Sequence, residues 1–295
     1  MTTVDIEGRQ VRLSNLDKVF YPETGFTKGH VVDYYARIGP VIVPHLAGRP
    51  LTMVRFPDGV EGGSFFEKRC PDHAPAWIRR APDDPELVQC VVDDLPSLVW
   101  AANMASLELH TLQARSGDAD RPTSMVFDLD PGPPGGILDC CRVGLELRAL
   151  LEQIGLESVV KTSGSKGLHL AVPLNTEVTA DATKGFALAL GQLLAKRDPE
   201  RVTVIMKKEE RRGKVFVDWS QNDRHKTTVS AYSLRARPRP TVSTPVTWDE
   251  VSDTLDAGDA DALTFEAPDV VERVQDVGDL YEPNLTLEQE LPDIS

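Results

Sequence analysis

The stretch Met-Val-Phe-Asp-Leu-Asp at residues 125–130 has the alternation of a β-strand that ends in two acidic residues. Neighbouring side chains of a strand point to opposite faces, so Asp128 and Asp130 share one face and the apolar residues share the other. Two carboxylates this close repel each other, and hard divalent cations such as Mg²⁺ or Mn²⁺ relieve the repulsion. The pair therefore predicts a metal site, although an acidic pair at a strand end can also be hydrated or cap a following helix.

The residues that follow, Asp-Pro-Gly-Pro-Pro-Gly-Gly at 130–136, place the two aspartates at the mouth of a turn. Three prolines and three glycines in this segment cannot continue a strand or begin a regular helix. The predicted strand therefore ends at the acidic pair.

Composition and charge distribution indicate a globular protein with one basic segment. Of the 295 residues, 41% are hydrophobic and 26% are charged, which argues against disorder throughout. The net charge of −14 lies in residues 241–295, which hold fifteen acidic residues and one basic residue, Arg273. Residues 201–240 hold eleven lysines or arginines against four acids. This segment is compatible with phosphate binding, although residues 207–212 can also be a solvated surface loop.

The N-terminus and the cysteines bear on cellular location and redox state. The first residues lack the basic and apolar regions of a signal peptide, and no run of eighteen apolar residues occurs, so we expect a cytoplasmic protein with no membrane partner. The four cysteines, including the adjacent Cys140 and Cys141, do not form a disulfide framework, so reduced thiols are predicted. Cys70 and His73 have the spacing of half a zinc site, which no second pair completes.

The hydrophobic pattern predicts an N-terminal part at residues 1–120, a second part of the same domain at 121–283 and an acidic, disordered tail at 284–295. In the first part a helix near 28–46 begins at Thr27, which can cap it, and Ser14-Asn15 is a further candidate helix cap. The remaining predictions there are strands at 9–13, 51–56 and 64–68, and a short helix then a strand between Leu98 and His110.

The second part alternates strands and helices in mixed order. Such an order predicts an α+β fold with a largely antiparallel sheet. Predicted helices lie at 137–154 and 181–196, and predicted strands at 158–162, 168–173, 201–206, 214–219 and 227–233.

The sequence Ser-Gly-Ser-Lys-Gly-Leu-His at residues 163–169 is typical of a phosphate-binding turn. Its glycines let backbone amides approach an anion, and its hydroxyls, ammonium and imidazole supply further donors. It is not a P-loop, because a P-loop leads into a helix whereas residues 168–173 alternate as a strand. A plain hairpin accounts for the glycines but leaves His169 unexplained.

A third apolar run, Lys-Val-Phe-Val-Asp-Trp at 214–219, carries Asp218 near the end of a predicted strand. A single acid in this position is usually structural. A third acid beside Asp128 and Asp130 is also what a two-metal site requires, with one ion on a triphosphate and the other activating a 3′-hydroxyl. The residues alone leave both interpretations open.

Three strings of this sequence resemble the active-site motifs of the archaeo-eukaryotic primase superfamily, in particular the polymerase domain of the bacterial end-joining ligase, Ligase D. They are Phe-Asp-Leu-Asp-Pro-Gly, Thr-Ser-Gly-Ser-Lys-Gly-Leu-His-Leu and Lys-Val-Phe-Val-Asp-Trp-Ser-Gln-Asn, in the order of the family. The likeness extends over about residues 9–283. It implies a primase-polymerase core of mostly antiparallel mixed sheets flanked by helices.

The resemblance implies template-directed transfer of nucleotides, preferably ribonucleotides, from nucleoside triphosphates to a primer 3′-end. Two divalent ions, Mn²⁺ or Mg²⁺, would be held by Asp128, Asp130 and Asp218. Cations and hydrogen-bond donors around the triphosphate would stabilise the charge that develops on pyrophosphate. The residues implied to hold the nucleotide are Lys68, His110, Ser163, Ser165, Lys166, His169 and Arg235.

The resemblance also implies binding of DNA with 5′-phosphorylated gaps or ends, in end-joining repair at the bacterial nucleoid with Ku and a DNA ligase as partners. Asn15, Lys18 and Lys28 match positions that grasp the 5′-phosphate. Phe65 and Phe66 match the pair that stacks on a template base, although one of two adjacent strand residues is also expected in the core. The chain has no Lys-x-Asp-Gly adenylation motif, so we do not expect it to seal nicks.

Two other functions fit parts of the pattern. A phosphatase of the haloacid dehalogenase type also has Asp-x-Asp after an apolar strand, but Pro131 replaces the small hydroxyl or aliphatic residue expected next. A non-catalytic DNA-end binding module would keep Lys18, Lys28 and the phenylalanine pair without polymerising. The acid trio argues against it, because three clustered carboxylates without a metal would destabilise the fold.

Overall fold

The computed structural model describes residues 1–82 and 84–292, which fold as two units, each with its own sheet and helices. Unit 1 contains residues 1–118, 227–243 and 265–279, and the remaining described residues form unit 2. The chain thus returns to unit 1 twice after leaving it. The hydrophobic pattern does not indicate these returns, because they depend on which distant segments pack together.

Unit 1 is built on antiparallel strands. Numbered along the whole chain, its strands are β1 (Thr2–Ile6), β2 (Arg9–Leu13), β3 (Val19–Tyr21), β4 (Phe26–Thr27), β5 (Leu51–Arg55), β6 (Phe65–Glu67), β7 (Arg79–Ala81), β8 (Gln89–Val91), β9 (Ser106–Leu112) and β15 (Thr227–Val229), and its helices are α1 (Lys28–Leu46), α2 (Leu95–Asn103) and α6 (Ala267–Val277). The main sheet has the order β15-β9-β5-β8-β7, with β6 pairing with β5, and β1–β2 and β3–β4 form separate pairs.

Helix α1 occupies the predicted range. The hydroxyl of Thr27 accepts a hydrogen bond from the backbone N–H of His30 at 3.3 Å, and the backbone N–H of Thr27 donates to Nδ1 of His30 at 2.9 Å. Two donors at the start of the helix are thereby satisfied. The predicted cap at Ser14-Asn15 is wrong. Asn15 has φ +54° and its carbonyl accepts the N–H of Lys18 at 3.1 Å, so this segment is a tight turn rather than a helix start.

Unit 2 is built on one sheet. Its strands are β10 (Ser124–Pro131), β11 (Val159–Thr162), β12 (Leu168–Pro173), β13 (Val202–Thr203), β14 (Val215–Asp218) and β16 (Pro245–Val246), and its helices are α3 (Ile137–Gln153), α4 (Ala180–Arg197), α5 (Trp248–Ala257) and α7 (Pro283–Thr286). The strand order is β13-β14-β10-β12-β11-β16, and every pairing is antiparallel except that of β13 with β14. With unit 1 this sheet confirms the α+β prediction.

The predicted disorder of the tail at 284–295 is wrong for the residues that the structure describes. After α7, the side-chain amide of Gln289 donates to the carbonyl of Pro173 at 2.7 Å and to that of Glu157 at 3.1 Å. These bonds satisfy the carbonyl at the end of β12 and one in the loop before β11, so this polar segment has defined partners in unit 2. Residues 293–295 lie outside the described residues.

The prediction of reduced thiols is wrong for two of the four cysteines. Cys70 and Cys90 form a disulfide, while Cys140 and Cys141 are free and buried. The amide of Cys70 donates to the carbonyl of Val88 at 2.8 Å, which places Cys70 beside β8. Twenty residues separate the two cysteines, so only the folded sheet reveals their pairing. Burial raises the pKa of the Cys141 thiol to about 11, so it stays protonated near neutral pH.

Among the described residues, every helix is too short or too polar to cross a membrane.

Candidate active site

The acidic pair of β10 meets the third predicted acid across a strand pairing. Asp128 lies directly opposite Asp218 in the antiparallel register of β10 and β14. Directly opposed Cα atoms of such strands are about 4.5–5.5 Å apart. The side-chain amide of Gln221 lies 3.2 Å from Asp218 Oδ2 and 3.5 Å from Asp128 Oδ2, so it bridges the two carboxylates. Asp130 is exposed two residues further along the same face.

Asp218 is held by the residues that follow it. It caps the short 3-10 helix Trp219–Asn222, and its Oδ1 accepts the N–H of Ser220 at 2.9 Å as well as the Ser220 hydroxyl. The Asn222 amide exchanges two hydrogen bonds with the backbone of Val126, at 2.8 and 2.7 Å, which ties this helix to β10. The Ser-Gln-Asn segment thus fixes the third acid, a role that its polar sequence alone does not indicate.

His169 approaches the acidic pair from the other side of β10. It lies opposite Asp128 in the register of β10 and β12, with Nε2 3.1 Å from Asp128 Oδ1. Its Nδ1 lies 3.0 Å from the ammonium of Lys161, a buried lysine on β11. With Lys161 as an ammonium, which can only donate, Nδ1 of the ring accepts and Nε2 is the ring N–H on the side of Asp128. Sequence reasoning identified His169 but missed Lys161, because a strand lysine is usually solvent-exposed.

The predicted phosphate-binding turn lies directly against β10. The hydroxyl of Ser163 accepts the N–H of Ser165 at 3.2 Å and that of Gly167 at 3.1 Å, which closes the turn. Gly164 has φ +67°, and a Cβ at Gly167 would lie 2.3 Å from the carbonyl oxygen of Leu129, so both positions require glycine. The turn leaves Ser165 and Lys166 exposed beside the strand that carries the acids.

The acids, rather than the half zinc site, have the chemistry of a metal centre. Within residues 1–82 and 84–292, no three His, Cys, Asp or Glu side chains lie together in a group that could hold a metal ion as they stand. Cys70 is consumed by its disulfide and is no zinc ligand. Asp128, Asp130 and Asp218 nevertheless lie on two adjacent strands, and carboxylate oxygens are the donors that a hard divalent ion would take.

Unit 1 carries the remaining residues predicted to bind the nucleotide. His110 and Arg235 both contact Glu108, with His110 Nε2 2.9 Å from Oε2 and Arg235 Nε 3.0 Å from Oε1. Burial alone would raise the pKa of Glu108, but the hydrogen bond from His110 and the charge of Arg235 lower it to about 2. Lys68 is exposed just beyond β6. Sequence reasoning missed Glu108, although it shares a strand face with His110.

The three residues predicted to grasp a 5′-phosphate are brought together in unit 1. The amide of Lys28 donates to the carbonyl of Lys18 at 2.8 Å, and the amide of Lys18 donates to the carbonyl of Asn15 at 3.1 Å. The Lys18 ammonium lies 2.6 Å from exposed Asp58. Burial, followed by the charges of Arg55 and Lys18, lowers the pKa of Lys28 to about 8. Such a crowd of cations at the start of α1 attracts an anion.

Phe65 and Phe66 are both exposed, at 45% and 64%, so the expectation that one of them is buried is wrong. Their strand β6 pairs with β5 away from the main strand order of the sheet, which leaves both of its faces accessible. The Phe65 ring lies 5.2 Å from the Arg55 guanidinium, and the Phe66 ring meets His110 edge-on at 6.4 Å. Two exposed aromatic rings, one beside a guanidinium and the other beside an imidazole, form a surface on which bases can stack.

Comparison with known proteins identifies the family. Residues 27–281 match the family described as LigD, primase-polymerase domain. The multifunctional non-homologous end joining protein LigD of Mycolicibacterium smegmatis is 43% identical over 279 residues, which are 93% of this chain and 36% of that protein. The bifunctional LigD of Bacillus subtilis is 31% identical over 251 residues, which are 83% of this chain and 40% of that protein. The chain thus spans little more than a third of the first of these relatives.

A solved structure gives the same answer. The polymerase domain from Mycobacterium tuberculosis Ligase D, in complex with DNA, matches with a TM-score of 0.87 and 39% identity. The match covers 95% of this chain and 99% of that domain. The fold and the order of the motifs thus agree with the family match, and the chain belongs to the family of LigD primase-polymerase domains.

Proposed function

We propose that this chain adds nucleotides, preferably ribonucleotides, to a primer 3′-end at 5′-phosphorylated DNA gaps and double-strand breaks during non-homologous end joining. The observation that carries the proposal is the pairing of Asp128 with Asp218 across β10 and β14, with Asp130 on the same face. Family membership supports the reaction type. Ku and a DNA ligase are the proposed partners at the bacterial nucleoid.

Asp128, Asp130 and Asp218 would hold two divalent ions, Mn²⁺ or Mg²⁺. Such ions would neutralise triphosphate oxygens and lower the pKa of the attacking 3′-hydroxyl. Residues of the chain itself would orient the carboxylates, Ser220 for Asp218 and His169 for Asp128. Ser163, Ser165 and Lys166 of the turn would hold the triphosphate, and the Lys166 ammonium would offset the charge that develops on pyrophosphate.

Unit 1 would supply the nucleotide contacts of Lys68, His110 and Arg235 and the contacts to DNA. Asn15, Lys18 and Lys28 would bind the 5′-phosphate at the far side of a gap, because their clustering around the start of α1 concentrates positive charge. Phe65 and Phe66 would stack on the template. Base stacking on an aromatic ring contributes roughly 1–3 kcal/mol per base without reading its sequence.

The experiment is primer extension on a gapped duplex with and without a 5′-phosphate at the gap. Ribonucleotides and deoxynucleotides are compared in the presence of Mn²⁺, of Mg²⁺ and of a chelator. We expect ribonucleotide addition that needs a divalent ion and is faster on the phosphorylated gap. Absence of product with both metals, together with intact binding of the gapped DNA, would replace the proposal with a non-catalytic end-binding module.

A further inference from the structure

The proposed function gives no role to Glu108, a buried acid of unit 1. Glu108 lies on β9 with 9% of its surface exposed, and both of its carboxylate oxygens are engaged. Oε2 lies 2.9 Å from His110 Nε2, while Oε1 accepts from Arg235 Nε and from the amide of Ala236, each at 3.0 Å. A single carboxylate therefore holds two side chains that are predicted to line the nucleotide site.

Stability alone is a weak reason for this arrangement. Removing a carboxylate from water is costly, and a buried ion pair recovers that cost only with good geometry and full hydrogen bonding. A well-packed apolar cluster is often at least as stable as such a pair. The pKa of about 2 keeps Glu108 ionised at every pH near neutral, so the two contacts are constant rather than switchable. The arrangement is better explained by the orientation that it imposes.

The surroundings of Arg235 show what Glu108 adds. The backbone of Arg235 is already fixed, because its amide donates to Thr241 at 2.8 Å and its carbonyl accepts the Tyr21 hydroxyl at 3.0 Å. These bonds place the Cα of Arg235 but do not set the direction of its long side chain. The contact of Glu108 with Nε fixes the inner nitrogen of the guanidinium and so sets the direction in which the outer nitrogens point.

The same carboxylate also sets the state of the His110 ring. Glu108 and His110 are two residues apart on β9 and therefore share a face. Ionised Glu108 only accepts, so Nε2 carries a proton toward it. The Phe66 ring also meets the His110 ring edge-on, with the ring centroids 6.4 Å apart. The orientation of the ring and the position of one proton are thus both determined by Glu108.

We propose that Glu108 is a positioning residue, which orients His110 and Arg235 together for contact with the incoming nucleoside triphosphate. The inference rests on the proposed function, because it assumes that these two side chains meet the nucleotide. Glu108 itself is not a catalytic residue, since its oxygens are occupied by protein groups.

The test compares Glu108→Gln with a matched control, Asp33→Asn. Asp33 is an exposed acid on α1 of the same unit, so the control removes the same charge without disturbing the cluster. The first readout is equilibrium binding of a ribonucleoside triphosphate with Mn²⁺, measured by calorimetry without DNA. Loss of a charged hydrogen-bond partner predicts that Glu108→Gln weakens binding roughly 10- to 100-fold. In primer extension the same change should appear in KM for the nucleotide, with a smaller effect on kcat.

A second readout is insensitive to a merely structural role. The ¹⁵N signals of the His110 ring report which nitrogen carries the proton, and they should change in Glu108→Gln but not in Asp33→Asn. The variant His110→Ala should bind nucleotide weakly. Adding Glu108→Gln to His110→Ala should reduce nucleotide affinity by a smaller factor than Glu108→Gln does in the unmodified chain. If Glu108→Gln does not fold, Glu108→Asp keeps the charge on a shorter side chain and should weaken nucleotide binding in the same direction.

The outcomes separate this inference from the proposed function. Nucleotide affinity and His110 signals in Glu108→Gln that match those of Asp33→Asn would overturn the inference while primer extension by the unmodified chain stands. Nucleotide binding without primer extension would overturn the proposed function alone, and Glu108 would be judged by the binding measurement. Failure of the unmodified chain to bind nucleotide would overturn both.

Discussion

His110 in unit 1 and His169 in unit 2 are both predicted to contact the nucleotide, yet residues of opposite charge hold them. The Nε2 atom of His110 meets the carboxylate of Glu108, whereas the Nδ1 atom of His169 meets the ammonium of Lys161 and its Nε2 faces Asp128. The acid that holds His110 is not one of the trio, whereas His169 is held beside Asp128, which is. The difference indicates that disturbing the first should affect nucleotide binding, and disturbing the second should affect the chemical step.

Substitution of the acids beside His169 should have the largest effect on the rate of nucleotide addition. Asp128→Asn and Asp218→Asn each remove a proposed metal ligand, so we expect nucleotide addition to fall by roughly a thousandfold or more. Binding of the gapped duplex should stay measurable, because the DNA-end residues lie in unit 1. Primer-extension rates and a DNA-binding titration check both, with Asp181→Asn on the exposed first turn of α4 as the charge-matched control. Addition at the unmodified rate in either variant would end the catalytic assignment.

The second prediction concerns a covalent difference between the units. Unit 1 contains the Cys70–Cys90 disulfide just after Lys68, while the described cysteines of unit 2 are reduced. Closing a loop of about twenty residues stabilises a fold by about 3 kcal/mol, so Cys70→Ser should lower the denaturation midpoint and Cys140→Ser should leave unit 1 unaffected. Urea unfolding with and without a reductant measures this. Four titratable thiols in the unfolded oxidised protein would contradict the prediction.

Lys161→Met should lower kcat, unlike a change at Glu108, which should mainly raise KM for the nucleotide. The substitution removes the donor to His169 Nδ1, so the ring loses the orientation that directs Nε2 at Asp128. We expect kcat for nucleotide addition to fall roughly 10- to 100-fold, as for other residues that orient a ligand-holding side chain, with a smaller change in KM. Lys161→Arg should recover part of the rate. A rise in KM without loss of kcat would show that His169, like His110, serves nucleotide binding, and would contradict the proposed difference between the two histidines.

The smallest predicted effect is the pH dependence of DNA-end binding by unit 1. The pKa of Lys28 is lowered to about 8, so its positive charge is present below this pH and is lost as the pH rises through it. A 5′-phosphate is fully charged over the same range. Preference for the phosphorylated gap should therefore weaken roughly three- to tenfold between pH 7 and 9.

Lys28→Arg provides the control for this pH dependence, because arginine stays charged throughout. Its preference for the phosphorylated gap, measured by competition binding, should be flat over the same pH interval. An equally flat profile for the unmodified chain would show that Lys28 does not contact the phosphate.

Local patterns predicted the elements that carry the site. The alternation at 125–130 identifies β10, and Thr27 marks the start of α1, because a strand face and a helix cap depend on neighbouring residues only. The acidic pair, the turn and the third acid could also be predicted, since each sits in a distinctive string. Their arrangement on adjacent strands follows from the sheet.

The partners of the site residues could not be predicted, because each pairing depends on burial and packing or joins residues that are distant in sequence. Glu108 and Arg235 are 127 residues apart, and a glutamate beside a histidine on a strand is usually a solvated face. Lys161 and Cys90 raise the same difficulty, since burial and pairing depend on the packed sheet. The exposure of both phenylalanines also depends on tertiary structure, because it follows from the position of β6 beside the main sheet.

The most direct test of the acid trio is Mn²⁺ binding followed by electron paramagnetic resonance in the presence of a non-reactive nucleoside triphosphate. We predict two bound ions per unmodified chain and a loss of at least one in Asp218→Asn, with Asp181→Asn unchanged. Equal Mn²⁺ binding by Asp218→Asn and the unmodified chain would contradict the claim that β10 and β14 together form the metal centre.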